Sequence, residues 1–173
     1  MERRNEKIKK TKAAELVKPA SISELRPALE ALPAAKLAKV CLQLARYKKE
    51  NKELLSYLLF EAHNLPGYLQ QIREEADQQF AMVNRSQLYF AKKSVRKILR
   101  LINKHVRYTG EPTAVVELGL YFCSKMKDLA LHDTESVVLN NLYQSQLKKI
   151  NATIGGLHED LQYDYRRELD RLS

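Results

Sequence analysis

The sequence predicts an all-α protein of about eight helices joined by short corners into antiparallel hairpins. Apolar residues recur at intervals of three and four through successive segments from Leu25 to Leu172. Proline, glycine and capping residues punctuate those segments, and no stretch shows the period-two alternation of a half-buried strand. A chain of 173 residues, 45% hydrophobic, can bury about 70% of its unfolded surface in a single core. Residues 19–173 are therefore expected to form one helical domain. Residues 1–18 hold few large apolar groups, Ile8, Leu16 and Val17 among them, too few to offset the entropy of ordering, and read as a basic flexible arm.

Each element has its own signal. Ser21-Ile-Ser-Glu24 has capping-box spacing ahead of Leu25, Leu29 and Leu32, with Pro27 expected in the first turn. Pro33 opens a second helix with Leu37, Val40, Cys41, Leu44 and Ala45 on its apolar face, and the polar run 48–52 marks a corner. Leu54, Leu55, Leu58, Leu59 and Ala62 make a third helix, stopped near Asn64 by Leu65-Pro66-Gly67. Pro66 starts the fourth, with Leu69, Ile72, Ala76, Phe80 and Val83 on one side. Asn84-Arg-Ser-Gln87 has cap-like spacing before a fifth helix, which Gly110 ends in a left-handed turn.

After Pro112 the chain is apolar nearly all round to Leu131, so this helix is expected at the centre, with Gly119 permitting the close approach of a neighbour. Asp133 or Thr134 caps the next helix, carrying Val138, Leu139, Leu142, Leu147 and Ile150, and Gly155-Gly156 closes it. A last helix aligns Leu157, Leu161, Tyr165, Leu169 and Leu172. Pro33 and Pro66 open helices 33 residues apart, and Pro112 follows 46 later. These spacings fall within the range of helical-hairpin repeats such as HEAT, armadillo and tetratricopeptide units, although the tetratricopeptide pattern needs a Trp and the chain has none. The expected architecture is an α-α superhelix of stacked hairpins, with an irregular helical bundle as the alternative.

The net charge of +9 is unevenly placed. Seven basic residues against three acidic ones fall in positions 1–18, and eight basic residues with no Asp or Glu occupy positions 78–110. On a helix, Lys93, Arg96, Lys97, Arg100, Lys104 and Arg107 share one side, while Leu88, Ala91, Val95, Ile98, Leu99, Ile102 and Val106 share the other. A rigid row of cations matches the regular negative charge of a nucleic-acid backbone, and Arg can grip a phosphate with two donors. Tyr89 falls on the same arc, where it can stack on an exposed base. The expected binding residues are Tyr89, Lys92, Lys93, Arg96, Lys97, Arg100, Lys104 and Arg107, and the expected partner is sequence-tolerant nucleic acid, DNA or RNA, or an acidic protein. Carboxylates around Glu74 or in the last helix could cover the basic face from within the fold. A protein-interaction scaffold, with exposed tyrosines as anchors on the concave side of stacked hairpins, is the competing reading.

Catalytic chemistry is weakly represented. His63, His105, His132 and His158 lack helical partner spacing, so no metal and no cofactor is expected. Ser94-x-x-Lys97 and Ser145-x-x-Lys148 match a nucleophile pattern that is frequent by chance, and its companion motifs do not follow. Asp164 and Glu168 read as members of a solvated, ion-paired face. No glycine-rich phosphate loop occurs, and a nucleic-acid-modifying enzyme is the least favoured class. The basic N-terminus leads into no apolar signal core, no run approaches the ~20 residues of a membrane span, and Cys41 and Cys123 read as buried reduced thiols. These features predict a cytoplasmic location.

Overall fold

The computed structural model describes residues 18–172, and every regular element among them is helical, eight helices in all. Contacts divide the chain into two compact units, the first ending at Lys48. The expected arm lies, except for Lys18, outside the described residues.

In the first unit α1 spans Ile22–Glu30 and α2 spans Ala34–Tyr47. Ser21 closes the anticipated capping box: its Oγ accepts the Glu24 amide at 3.3 Å, and Glu24 Oε2 accepts the Ser21 amide at 2.8 Å. That cap fixes the helix start, which places Pro27 inside the helix rather than in its first turn. Without an N–H, Pro27 cannot donate to the Ser23 carbonyl, and α1 ends three residues later. Neither helix buries a residue: Leu25, Leu29, Leu37 and Leu44 stay exposed, and Cys41 is only half-buried, not buried as its apolar neighbours suggest.

The second unit begins with α3, Lys49–Ser56, so the corner expected over 48–52 is the single extended residue Lys48. α3 runs on into a π-helical turn, Tyr57–Glu61, closed by the Ala62 amide on the Tyr57 carbonyl at 2.9 Å. A π turn spans one residue more than an α turn and so rotates the side chains around it. Tyr57 is buried while Leu58, Leu59 and Phe60 are exposed, which removes Leu58 and Leu59 from the apolar face that α-helical spacing predicts. Asn64, read as a stop, is the cap of α4, Leu65–Ala81, through Oδ1 to the Gly67 amide at 3.1 Å.

Three further helices complete the core: α5 (Leu88–Thr109), α6 (Pro112–Asp128) and α7 (Val137–Ile154), with α8 (Glu159–Asp170) laid against them. Asn84 folds into a local turn, accepting the Ser86 amide at 3.1 Å, and leaves Gln87 to start α5 without a side-chain cap. Gly110 stops α5 at φ 67°, as its position predicts. α7 starts later than Asp133 or Thr134 because Asn140 reaches back to the Thr134 amide and carbonyl at 3.1 and 2.8 Å, so Ser136 becomes the cap residue.

α6 is central. It packs against α4, α5, α7 and α8, and eight of its residues are buried, Val116, Leu118, Phe122, Cys123 and Met126 completely. Contacts join each helix from α4 onward to the next, and α6 also to α4 and α8. Stacked hairpins make this order of contacts, and so does an irregular bundle around α6. Gly119 sets the approach of α7, since a Cβ there would lie 2.8 Å from Ile150 Cγ1. On α8 only Leu169 is buried, and Leu161 of its expected apolar row is exposed.

Two substitutions test this core. Gly119→Ala is expected to destabilise by about 1–3 kcal/mol through overpacking, partly offset by the ~1 kcal/mol helix-propensity gain of Ala. A urea midpoint at or above the parent's would show that Ile150 yields without cost. Phe122→Ala is expected to cost about 3–5 kcal/mol, and an unchanged midpoint would place α6 at the periphery.

Candidate nucleic-acid interface

The apolar half of α5 fixes where its charges go. Ala91, Val95, Ile98, Ile102 and Val106 are buried against α4 and α6, so the opposite side of the helix faces outward. Lys93, Arg96, Lys97, Arg100 and Arg107 are exposed there, Lys92 and Lys104 are half-buried, and Tyr89 is 58% exposed. With 22 residues, α5 presents these groups along about 33 Å.

One expected member is already engaged. Lys104 Nζ lies 2.7 Å from Glu53 Oε2 on α3, and the same oxygen accepts the Tyr108 hydroxyl at 3.0 Å. Lys49 stands 3.6 Å from the other Glu53 oxygen. Burial would raise the Glu53 pKa, but the Lys104 and Tyr108 hydrogen bonds hold its carboxyl below the ordinary value. Lys104 therefore ties α5 to α3 and shares its charge with Glu53. Its partner was invisible in the sequence because 51 residues separate the two.

The rest of the arc is clear of acid. Among the described residues no carboxylate lies within 4.0 Å of the Lys92, Lys93, Arg96, Lys97, Arg100 or Arg107 charged groups. The acids near Glu74 serve elsewhere: Asp77 pairs with Lys125 at 2.6 Å, and Glu74 accepts a hydrogen bond from Gln70 at 3.0 Å. Glu117 of α6 takes Arg73 at 2.6 Å. On α8, Asp160 contacts its own cap residue, His158. Arg100 Nε donates to the Arg96 carbonyl at 3.2 Å, which lays that side chain along the helix. Lys93 Nζ sits 4.4 Å from the centre of the Tyr89 ring.

The structure adds a cation that the sequence reading omits. Lys149 of α7 donates to Asn103 Oδ1 on α5 at 3.0 Å. Asn103 lies about 60° round the helix from Arg100, on the side opposite Lys104. Glu53 thus neutralises one edge of the arc while Lys149 extends the other. No local pattern places α7 beside α5, so only the packed fold shows this.

Beneath the charged arc lies a small polar cluster. Tyr68 on α4 shares a hydrogen bond of 2.6 Å with His105 Nδ1, and its ring stacks at 4.6 Å on Tyr57 of the π turn. Burial, helped by the Lys104 charge and opposed by Glu53, lowers the His105 pKa from 6.5 to about 4. His105 therefore adds no positive charge to the face near neutral pH.

Other chemistry is sparse. No three His, Cys, Asp or Glu among the described residues converge on a point where an ion could sit. The Cys123 thiol is pushed up to about 12 by burial, so it carries almost no thiolate near neutral pH. Ser145 donates to its own helix, at the Leu142 carbonyl. A cleft of about 520 Å³ between α4, α6 and α8 is bordered by the closed Arg73–Glu117 pair, Tyr121 and Tyr165, whose hydroxyl donates to Glu117 at 3.4 Å. No described helix is long and apolar enough to cross a membrane. No protein-family model matches the chain, and no curated protein and no solved structure is detectably similar to it.

The His105 environment predicts a pH dependence. Its folded pKa is below the unfolded value, so the unfolded chain takes up the proton first and stability falls as pH drops from 6.5 toward about 4. His105→Gln is expected to flatten the slope of unfolding free energy in that window, measured by urea unfolding across it. An unchanged slope would assign the effect to other groups.

Proposed function

We propose that the exposed face of α5 binds nucleic-acid phosphates with little sequence preference, as a non-enzymatic binding module. The observation that carries this reading is the acid-free arc. Five exposed cations and the half-buried Lys92 stand on one helix, and among the described residues no carboxylate lies within 4.0 Å of any of them. A merely solvated helix face gains from interspersed Glu, and α5 has none. Lys92, Lys93, Arg96, Lys97, Arg100 and Arg107 supply the contacts, with Lys149 at the flank and Tyr89 beside Lys93. The basic residues of positions 1–18 add charge to the same ligand.

A second reading has its own observation. Leu58, Leu59 and Phe60 on the π turn are exposed, and so, in the first unit, are Leu25, Leu29, Leu37 and Leu44, as apolar contact groups of a protein scaffold would be. The two readings respond differently to salt, because phosphate binding weakens as ionic strength rises while an apolar interface persists.

With about five phosphates neutralised, affinity for a labelled oligonucleotide is expected to fall between about two and three orders of magnitude from about 50 to about 200 mM salt. Replacing Arg96 and Arg100 by Glu should abolish binding in fluorescence anisotropy without lowering the melting temperature, since both side chains are exposed and Glu at these positions relieves like-charge repulsion with Lys92 and Lys104. Unchanged binding by that variant, or none by the parent at low salt, would leave the scaffold reading in front.

A further inference from the structure

Two aromatic rings lie open at the N-terminal end of the basic face. Tyr89 and Phe90 are 58% and 49% exposed, on a helix whose other large apolar residues are buried or half-buried. Their rings meet edge to face at 5.3 Å and pack on no other aromatic group. Tyr89 falls within about 20° of Arg100 and Arg107 round the helix, and about 10 Å before Arg96 along it. It is the aromatic group in line with the phosphate-binding cations. Lys93 holds the phenol from one side, at 4.4 Å, so part of the ordering of that ring is already in place.

We infer that the ligand of α5 is a single strand, with unpaired bases stacking on Tyr89 and Phe90 while the phosphates that follow run along Arg96, Arg100 and Arg107. This inference rests on the phosphate-binding reading of α5 and narrows it to a substrate class. A duplex offers phosphates to the same cations but keeps its base faces inside its own stack, so it leaves both rings in water. A single strand offers the same charge and an exposed π face at every base, which any base supplies, in keeping with sequence tolerance. Apolar rings and a cation row on one helix face thus match single-stranded nucleic acid in both of its chemistries.

The test uses the full chain and three probes at one salt concentration: a labelled single strand of about 12 nucleotides, within the usual range of site sizes, its duplex, and heparin, a polyanion without bases. The parent is expected to bind the single strand more tightly than the duplex. Replacing Tyr89 and Phe90 together by Ala should weaken single-strand binding at least about fivefold, the lower bound for losing one stacked base, and leave duplex and heparin binding unchanged. Tyr89→Phe keeps the ring and should retain the parent's affinity. Equal loss for all three probes, no loss for the single strand, or a parent preference for duplex would overturn the inference while phosphate binding stands. Binding of none of the probes would overturn the phosphate-binding reading and this inference with it. Circular dichroism and the melting temperature of the double Ala variant should match the parent's, because both rings are exposed.

Discussion

The second unit depends on the burial of α6. A helix that is apolar nearly all round cannot be left on a surface, so α4, α5, α7 and α8 pack around it, and their positions follow from that demand. Gly119 makes the demand geometrically possible. With Ile150 filling the space its missing side chain leaves, α7 comes close enough for Leu139, Leu147 and Ile154 to be buried as well. Each fully buried large aliphatic residue contributes about 1.5–3 kcal/mol relative to exposure, so the seam between α6 and α7 outweighs any surface ion pair in the unit, whose usual worth is about 0–1 kcal/mol. The first unit lacks such an element. Its two helices bury nothing, and isolated helices of 9 and 14 residues are marginal in water.

Where α5 meets α3 and its π turn, polar contacts take over from apolar ones. Glu53, Lys104 and Tyr108 form one knot, and Tyr57, Tyr68 and His105 a second beside it. The Tyr68 hydroxyl titrates well above its ordinary range because burial disfavours the phenolate, so it remains a donor to His105, and the depressed imidazole remains neutral and able to accept. These two shifts are consistent with each other: a charged histidine there would be buried with its charge and would add repulsion next to Lys104. The knot also engages Lys104 of the arc, while the other cations of the arc have no carboxylate within 4.0 Å among the described residues.

Much of the architecture was legible in the sequence because it is written in local periodicity. The buried faces of α4, α5 and α6, the capping box at Ser21, the left-handed stop at Gly110 and the close approach at Gly119 all reflect spacing or residue type within one turn. What was not legible depends on departures from α geometry or on distant partners. A π turn cannot be told from an α turn by apolar spacing, so Leu58 and Leu59 were assigned to the wrong side. Asn140 acts backward across six residues and moves the start of α7 past Thr134. At the candidate interface, the charge row and Tyr89 came from the sequence directly, whereas the pairing of Lys104 with Glu53 and the arrival of Lys149 beside Asn103 required the packed helices. The exposure of Phe90 was equally hidden, since a position about 80° round from Arg100 could as well have been covered by a neighbour.

The energetics of α5 explain how such a face can exist. Lys92 and Arg96, Lys93 and Lys97, Arg96 and Arg100, and Arg100 and Lys104 are like-charged neighbours one turn apart, each destabilising an isolated helix by about 0.2–0.5 kcal/mol. Together they oppose the helix by about 1–2 kcal/mol. Burial of Val95, Ile98, Ile102 and Val106 exceeds that severalfold on the same helix. The repulsion is therefore affordable without a compensating acid, and it is largest in the unliganded state, because a polyanion lying along the face would turn each repulsive neighbour pair into cations sharing an anionic partner. On the proposed reading, a polyanion bound along this face would relieve that repulsion. The difference between the bound and unbound states, unlike a solvated Glu–Lys face that gains nothing from a ligand, is available to drive binding.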